Sequence, residues 1–195
     1  MQKQKGARAR GKHKSLMRAF KWKVISSKLH YSSPFLRVFE DKLILPNGEQ
    51  IFFSRVDMPD FATVLPITSK KIVMIHNYRY PANQCFLELP SGIIEKGEEP
   101  LQCAKRELRE ETGYNAKFSY VTWYYPSSRS RQKAHIFLAT SLLEGSPDRD
   151  RTEHQQVVTI TSQQILNKMD QGKLRHAPTI VALSVCRKFL LSQTE

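Results

Sequence analysis

The sequence predicts an α+β fold in which a mixed β-sheet lies between helices and is preceded by a smaller antiparallel β unit. Three observations carry this. Residues 22–76 run in short segments rich in β-branched, aromatic and leucine residues, separated by turn signals. Residues 100–112 have helical periodicity between a proline and a glycine. The last third of the chain holds two amphipathic helical segments beyond a strand-like QQVVTIT. The resulting division is a basic flexible tail at 1–19, an N-terminal β unit at 20–57, and a main domain at 58–195.

In chain order, residues 1–18 lack a core pattern and carry seven of the 31 basic residues, which stand against 18 acidic ones in a 195-residue chain. Such a tail is predicted to stay mobile. It offers weak contact to nucleic-acid phosphates, beside the plainer role of a solubilising segment. Residues 22–29, 35–45 and 51–56 read as strands, the last two joined by the turn Pro46-Asn47-Gly48. A sheet this small leaves an apolar face and open edges, which a second copy can cover. Residues 61–67 and 72–76 read as buried strands on either side of a short turn. Arg79 follows in NYRYP, where an arginine at a strand end can make bidentate phosphate contacts or simply be solvated.

Residues 100–112 form the predicted helix, about 20 Å long at 1.5 Å per residue. Leu101, Ala104 and Leu108 share a face, and Glu107, Glu110 and Glu111 fall on the arc beside it, with Lys105, Arg106 and Arg109 on the other flank. Carboxylates in the last two turns oppose the helix dipole by about 0.3–1 kcal/mol each, a penalty that a bound cation reverses. Hard oxygen donors so crowded suit Mg²⁺ or Mn²⁺, although acids and bases on a helix also form ordinary i,i+4 pairs on a solvated face.

Residues 117–125 and 134–140 read as strands flanking a polar loop in which Arg129 and Arg131 can meet phosphate or solvent. Residues 144–153 form a long polar loop, and residues 162–171 and 179–191 are predicted helices. Cys85, Cys103 and Cys186 lie in apolar runs without metal-type spacing, which points to reduced core thiols and a cytoplasmic protein. The basic start lacks an apolar continuation and no uncharged run is long enough to span a bilayer, so no membrane insertion is expected. The six histidines show no paired spacing and read as structural or surface residues.

Gly92, five residues, Glu98, seven residues, Arg106-Glu107-Leu108, one residue, Glu110-Glu111, one residue and Gly113-Tyr114 resemble the Nudix box at every defined position. The resemblance implies an α/β/α sandwich and a hydrolase of nucleoside diphosphates linked to another group. It implies metal, Mg²⁺ or Mn²⁺, on Glu107 and Glu111, with Glu110 in the cluster, Glu98 supporting the loop or a further ion, and the main-chain carbonyl of Ser91 as a ligand. Arg106 then orients the carboxylates, Arg79 contacts substrate, and Glu88, in FLELPSG, belongs near the site.

Arg129 is a further substrate-contact candidate. Glu153 is the expected general base, although its neighbours are less acidic than the family's usual stretch, and Glu110 and Glu144 stand behind it. The N-terminal β unit is similar to the dimerisation unit of the family's ADP-ribose pyrophosphatase branch and implies a homodimer. That branch makes ADP-ribose, split to AMP and ribose 5-phosphate, the first candidate substrate. Pro126, however, lies closer to the box than the branch's usual proline, so ADP-glucose and GDP-mannose stay open. Action on RNA 5′ ends, suited to the basic tail, is an alternative. A non-catalytic binding module is disfavoured by the intact box, and a nucleic-acid-binding protein without catalysis by the absence of a recognisable motif.

Overall fold

The computed structural model describes residues 20–145 and 155–193. The basic tail and Glu153 lie outside these residues. The described residues up to Met58, with Ser128–Arg131, form one compact unit, and Pro59–Ser127 with the described residues from Gln132 onward form a second.

The first unit is a three-stranded antiparallel sheet of β1 (Lys23–Ser32), β2 (Arg37–Ile44) and β3 (Gln50–Asp57), with β2 in the middle. Its interior is ionic as well as apolar. Arg55 reaches Asp41 and Asp57, both at 2.7 Å, and its guanidinium lies 3.9 Å from the centre of the Phe39 ring. Burial alone would raise the Asp57 pKa, but Arg55 and Arg131 outweigh it and hold the carboxyl below its ordinary value. Val24, Ile25, Leu29 and Tyr31 of β1, an edge strand, are exposed in the single chain.

The second unit is built on β4 (Phe61–Thr68), which pairs in parallel with β9 (Ala134–Glu144) and antiparallel with β5 (Lys71–Arg79) and β7 (Ser91–Ile93). β8 (Tyr114–Tyr124) and β10 (Gln155–Thr161) form the ends of the sheet, and β6 (Gln84–Glu88) pairs with β5. Alternation along β4 separates two cores. Ala62 and Val64 pack with Cys103, Ala104 and Leu108 of α1 (Pro100–Thr112). Leu65 and Ile67 pack with α2 (Ser162–Asp170), α3 (Ala177–Val185) and α4 (Arg187–Ser192). The architecture is therefore helix, mixed sheet, helix.

Local chemistry sets the limits of α1. Pro100 occupies its first turn, Glu99 N–H donates to Gln102 Oε1 at 2.9 Å, and Gly113 closes it at φ 80°. The β4–β5 turn uses Ser69 and Lys70 at φ 43° and 68°, left-handed positions without a glycine. Lys70 O accepts both the N–H and the hydroxyl of Ser162, which ties the start of α2 to this turn.

Two expectations are corrected. The helix expected at 179–191 starts at Ala177 and is interrupted at Cys186, whose N–H still donates to Ala182 O, so the break is a soft bend. Cys103 and Cys186 are buried free thiols, but Cys85 is exposed, because β6 lies at the margin of the sheet and pairs only with β5. No helix among the described residues is long and apolar enough to cross a membrane.

α3 is fixed to the sheet through one buried hydroxyl, since Thr179 Oγ1 accepts the Leu89 N–H at 2.9 Å. Thr179→Val keeps the shape and strands that N–H. It should lower unfolding stability by about 1–3 kcal/mol in urea titrations, with Thr179→Ser closer to wild type.

Candidate active site

The short β7 pairing with β4 lays the Ser91–Gly92 backbone alongside α1. A Cβ at Gly92 would stand 1.8 Å from Glu107 Oε1, so only glycine lets that carboxylate lie against the main chain. Glu111, also buried, accepts the Ser91 N–H at 2.9 Å through Oε2 and the Gln155 side chain at 3.1 Å through Oε1. Cys103 Sγ lies beneath this backbone, 3.4 Å from Gly92 O, and burial pushes its thiol pKa up to about 12.

Arg106 ties the acids together. Its Nε and Nη2 bind the two oxygens of Glu98 at 2.9 and 3.0 Å, and Nη1 reaches Glu107 at 2.6 Å and Glu110 at 3.1 Å. Nη2 also donates to Ile93 O at 3.0 Å. These hydrogen bonds, first among them those to Glu98, raise the Arg106 pKa further above its ordinary value. In return they hold the Glu98 carboxyl below the usual range, against the opposing effect of burial. Glu98 in addition accepts the Glu95 N–H at 2.9 Å and so fastens the loop before α1.

Among the described residues, no three His, Cys, Asp or Glu side chains stand as a ready cation cage. The hydrogen bonds explain this, because Arg106 draws Glu107 and Glu110 onto its guanidinium while Glu111 is turned to Ser91 and Gln155. The residues nonetheless fit a hard divalent ion. Glu107 and Glu111 are buried oxygen donors beside the same two backbone residues, with Glu110 and Glu98 adjoining through Arg106.

Arg79 lies at the end of β5, and its Nε and Nη2 donate to the two oxygens of Glu88 at 2.9 and 2.6 Å. Glu88, expected near substrate, has no exposed surface, so its visible work is to hold Arg79, whose side chain is 41% exposed. His176 Nε2 stands 3.9 Å from Glu88, and burial lowers the imidazole pKa against the pull of that carboxylate. Arg129, another expected substrate contact, belongs to the N-terminal unit. There its guanidinium lies 5.0 Å from the centre of the Phe53 ring and donates to Ser54 O at 3.1 Å. The Arg129 O···H–N Val56 bond brings the loop to β3. Glu144 is at the end of β9 opposite Tyr114 and is exposed. Sequence reading missed Gln155 as a contact of Glu111. Its place at the head of the strand-like QQVVTIT was the available signal.

The NUDIX domain model matches residues 58–182. The chain is 33% identical over 172 residues to an ADP-ribose pyrophosphatase of Bacillus subtilis (strain 168), with 86% of this chain and 93% of that one covered. It is 30% identical over 171 residues to a methanol dehydrogenase activator of Bacillus methanolicus, covering 84% and 91%. A crystal structure of an ADP compounds hydrolase matches with a TM-score of 0.79 at 22% identity, over 89% of this chain and 96% of that one, a likeness of fold. The chain belongs to the Nudix hydrolase family.

Gly92→Ala tests the close approach. The intruding methyl meets the movable end of Glu107, so the protein should fold with a near-normal melting temperature; if that carboxylate serves the reaction, turnover falls by about a hundredfold, the scale of an ångström misplacement.

Proposed function

We propose that this chain hydrolyses the diphosphate bond of a nucleoside diphosphate sugar, with ADP-ribose the first candidate and AMP and ribose 5-phosphate the products. The observation that carries the reading is the convergence of buried Glu107 and Glu111 on the Ser91–Gly92 backbone within a complete box. The likeness to the Bacillus subtilis ADP-ribose pyrophosphatase over nearly the full length of both chains favours the substrate.

In this reading Glu107 and Glu111, with Glu110, Glu98 and the Ser91 carbonyl, hold Mg²⁺ or Mn²⁺. When bound, such an ion supplies charge neutralisation at the diphosphate and lowers the pKa of a water. Arg106 keeps the carboxylates together and oriented. Arg79, braced by Glu88, binds a phosphate oxygen. Water adds to one phosphorus, the bridging oxygen leaves with the other, and Glu153 accepts the proton of the attacking water.

The two kinds of residue should fail differently. Glu111→Gln should lower kcat severely, and the metal-free variant should melt no lower than wild type, because a carboxylate opposing the helix dipole is gone. Wild type should gain about 2.7 kcal/mol of stability when Mg²⁺ is raised to a hundred times its Kd, and Glu111→Gln should lose most of that gain. Arg79→Ala should raise KM by roughly ten- to a hundredfold, the worth of a hydrogen bond to a charged group, with a smaller effect on kcat. Steady-state kinetics over a panel of ADP-ribose, ADP-glucose and GDP-mannose both separates these roles and fixes the substrate.

The exposed apolar side chains of β1 support a homodimer through the N-terminal unit. Light scattering should give about twice the 22.6 kDa chain mass, and Val24→Lys with Leu29→Lys should return the monomer. A wild-type monomer at working concentration would remove this part of the reading.

A further inference from the structure

α1 carries a second chemistry on the side away from its buried face. Gln102, Lys105, Arg106 and Arg109 follow one another at i, i+3, i+4 and i+7 and so share one face of the helix. With the loop from Glu95 to Glu98 and with Asn115, Ala116 and Phe118 of β8, they line an open cleft of about 750 Å³. Arg106 and Glu98 neutralise each other there. Lys96, Lys105 and Arg109 enter no ion pair among the described residues, and Glu95 is the remaining acid of the wall. The loop that presents Lys96 is held by the Glu98 N–H to Glu95 O bond at 3.0 Å and the Glu95 N–H to Glu98 side-chain bond at 2.9 Å. The cations therefore stand around a formed concavity.

On the other side of Phe118 lies a smaller depression of about 360 Å³, lined by Glu99, Pro100, Leu101, Phe118, Tyr120, His135 and Phe137. Its character is aromatic. Tyr120 is 52% exposed and is braced edge-on by Phe137, with ring centres 5.3 Å apart. Phe118 is common to both depressions, so a cationic cleft and an aromatic shelf adjoin along one strand.

We infer that these two depressions form a second binding site for a nucleoside monophosphate, with the phosphate among Lys96, Lys105 and Arg109 and the base on the Tyr120 shelf. The polarity of the pose follows from charge, since Glu99 on the aromatic side repels the phosphate that the three cations attract. Each depression by itself is in the range of small-molecule sites, and stacking on an aromatic face tolerates any base. None of Lys96, Lys105, Arg109 or Tyr120 takes part in the carboxylate network around Arg106, nor is any of them in the Arg79–Glu88 pair.

The test is calorimetric titration of the full chain with AMP in EDTA, which reads binding and no turnover, with Arg79→Ala as the variant that separates this site from the one where AMP is the proposed product. Lys105→Gln with Arg109→Gln should weaken AMP by about tenfold through loss of charged hydrogen bonds. Tyr120→Ala should weaken it by about fivefold or more through loss of stacking. Arg79→Ala should leave unchanged the part of AMP binding that responds to Lys105, Arg109 and Tyr120. Ribose 5-phosphate should respond to the cation pair and be indifferent to Tyr120→Ala. The exposed substitutions should leave the melting temperature within about 2 °C of wild type, so a loss of affinity is not a loss of fold. The site is overturned if AMP fails to bind at millimolar concentration, if its affinity survives both sets of substitutions, or if it falls with Arg79→Ala alone. Sensitivity to the cation pair without any to Tyr120→Ala would overturn the nucleoside and reduce the cleft to a phosphate site.

Discussion

Four carboxylates, Glu98, Glu107, Glu110 and Glu111, are gathered within one loop and the last two turns of one helix, and the geometry of the box depends on how their repulsion is managed. Arg106 contacts three of them at once while also donating to Ile93 O. A lysine could supply the charge but not the fork: the paired bonds to Glu98 use Nε and Nη2 on one edge of the guanidinium, which leaves Nη1 for Glu107 and Glu110. Glu111 is settled separately by the Ser91 N–H and Gln155. The loop, the helix and the β7 backbone are thereby locked to one another through charged hydrogen bonds, each stronger than a neutral one. A divalent ion entering this set would take over part of what Arg106 does, which is why the same residues can be ordered without it and still fit it.

What could be read from the sequence was what is local to it. The limits of α1 follow from Pro100 and Gly113, and its three faces from a period of 3.6, so helix and acid arc stand where the spacing put them. The capping contact between Glu99 and Gln102 is also local, though proline alone had already marked the start. The reason for Gly92 was not legible, because it is a contact with a residue fifteen positions later that exists only once β7 lies against the helix. Arg79 and Glu88 belong to strands whose register pairs Arg79 with Gln84 and Glu88 with Ile75, so their meeting depends on a long side chain reaching back along the hairpin. Apolar neighbours suggested a buried Cys85, whereas its exposure is decided by the place of β6 at the sheet margin. Arg129 followed its loop onto the N-terminal sheet through a main-chain bond to Val56, a pairing with no sequence signature.

The same period that makes α1 a core helix keeps its other chemistries apart. Cys103, Ala104 and Leu108 bury one side against β4, Glu107 and Glu111 turn toward the Ser91–Gly92 backbone, and Lys105 with Arg109 face the cleft on the far side. Arg109 in the last turn also favours the helix dipole that Glu110 and Glu111 oppose, so the basic flank offsets part of the electrostatic strain of the acid arc. A helix with fewer bases would hold the same carboxylates less firmly in the absence of an ion. Arg109 thus has a reason to stand beside Lys105 whether or not a phosphate ever visits them. What the dipole does not account for is their enclosure: a solvated helix face would serve it equally well, whereas these two side chains meet Lys96 across a formed cleft with an aromatic shelf beyond. That arrangement, and not the charge by itself, makes the far face of α1 a site.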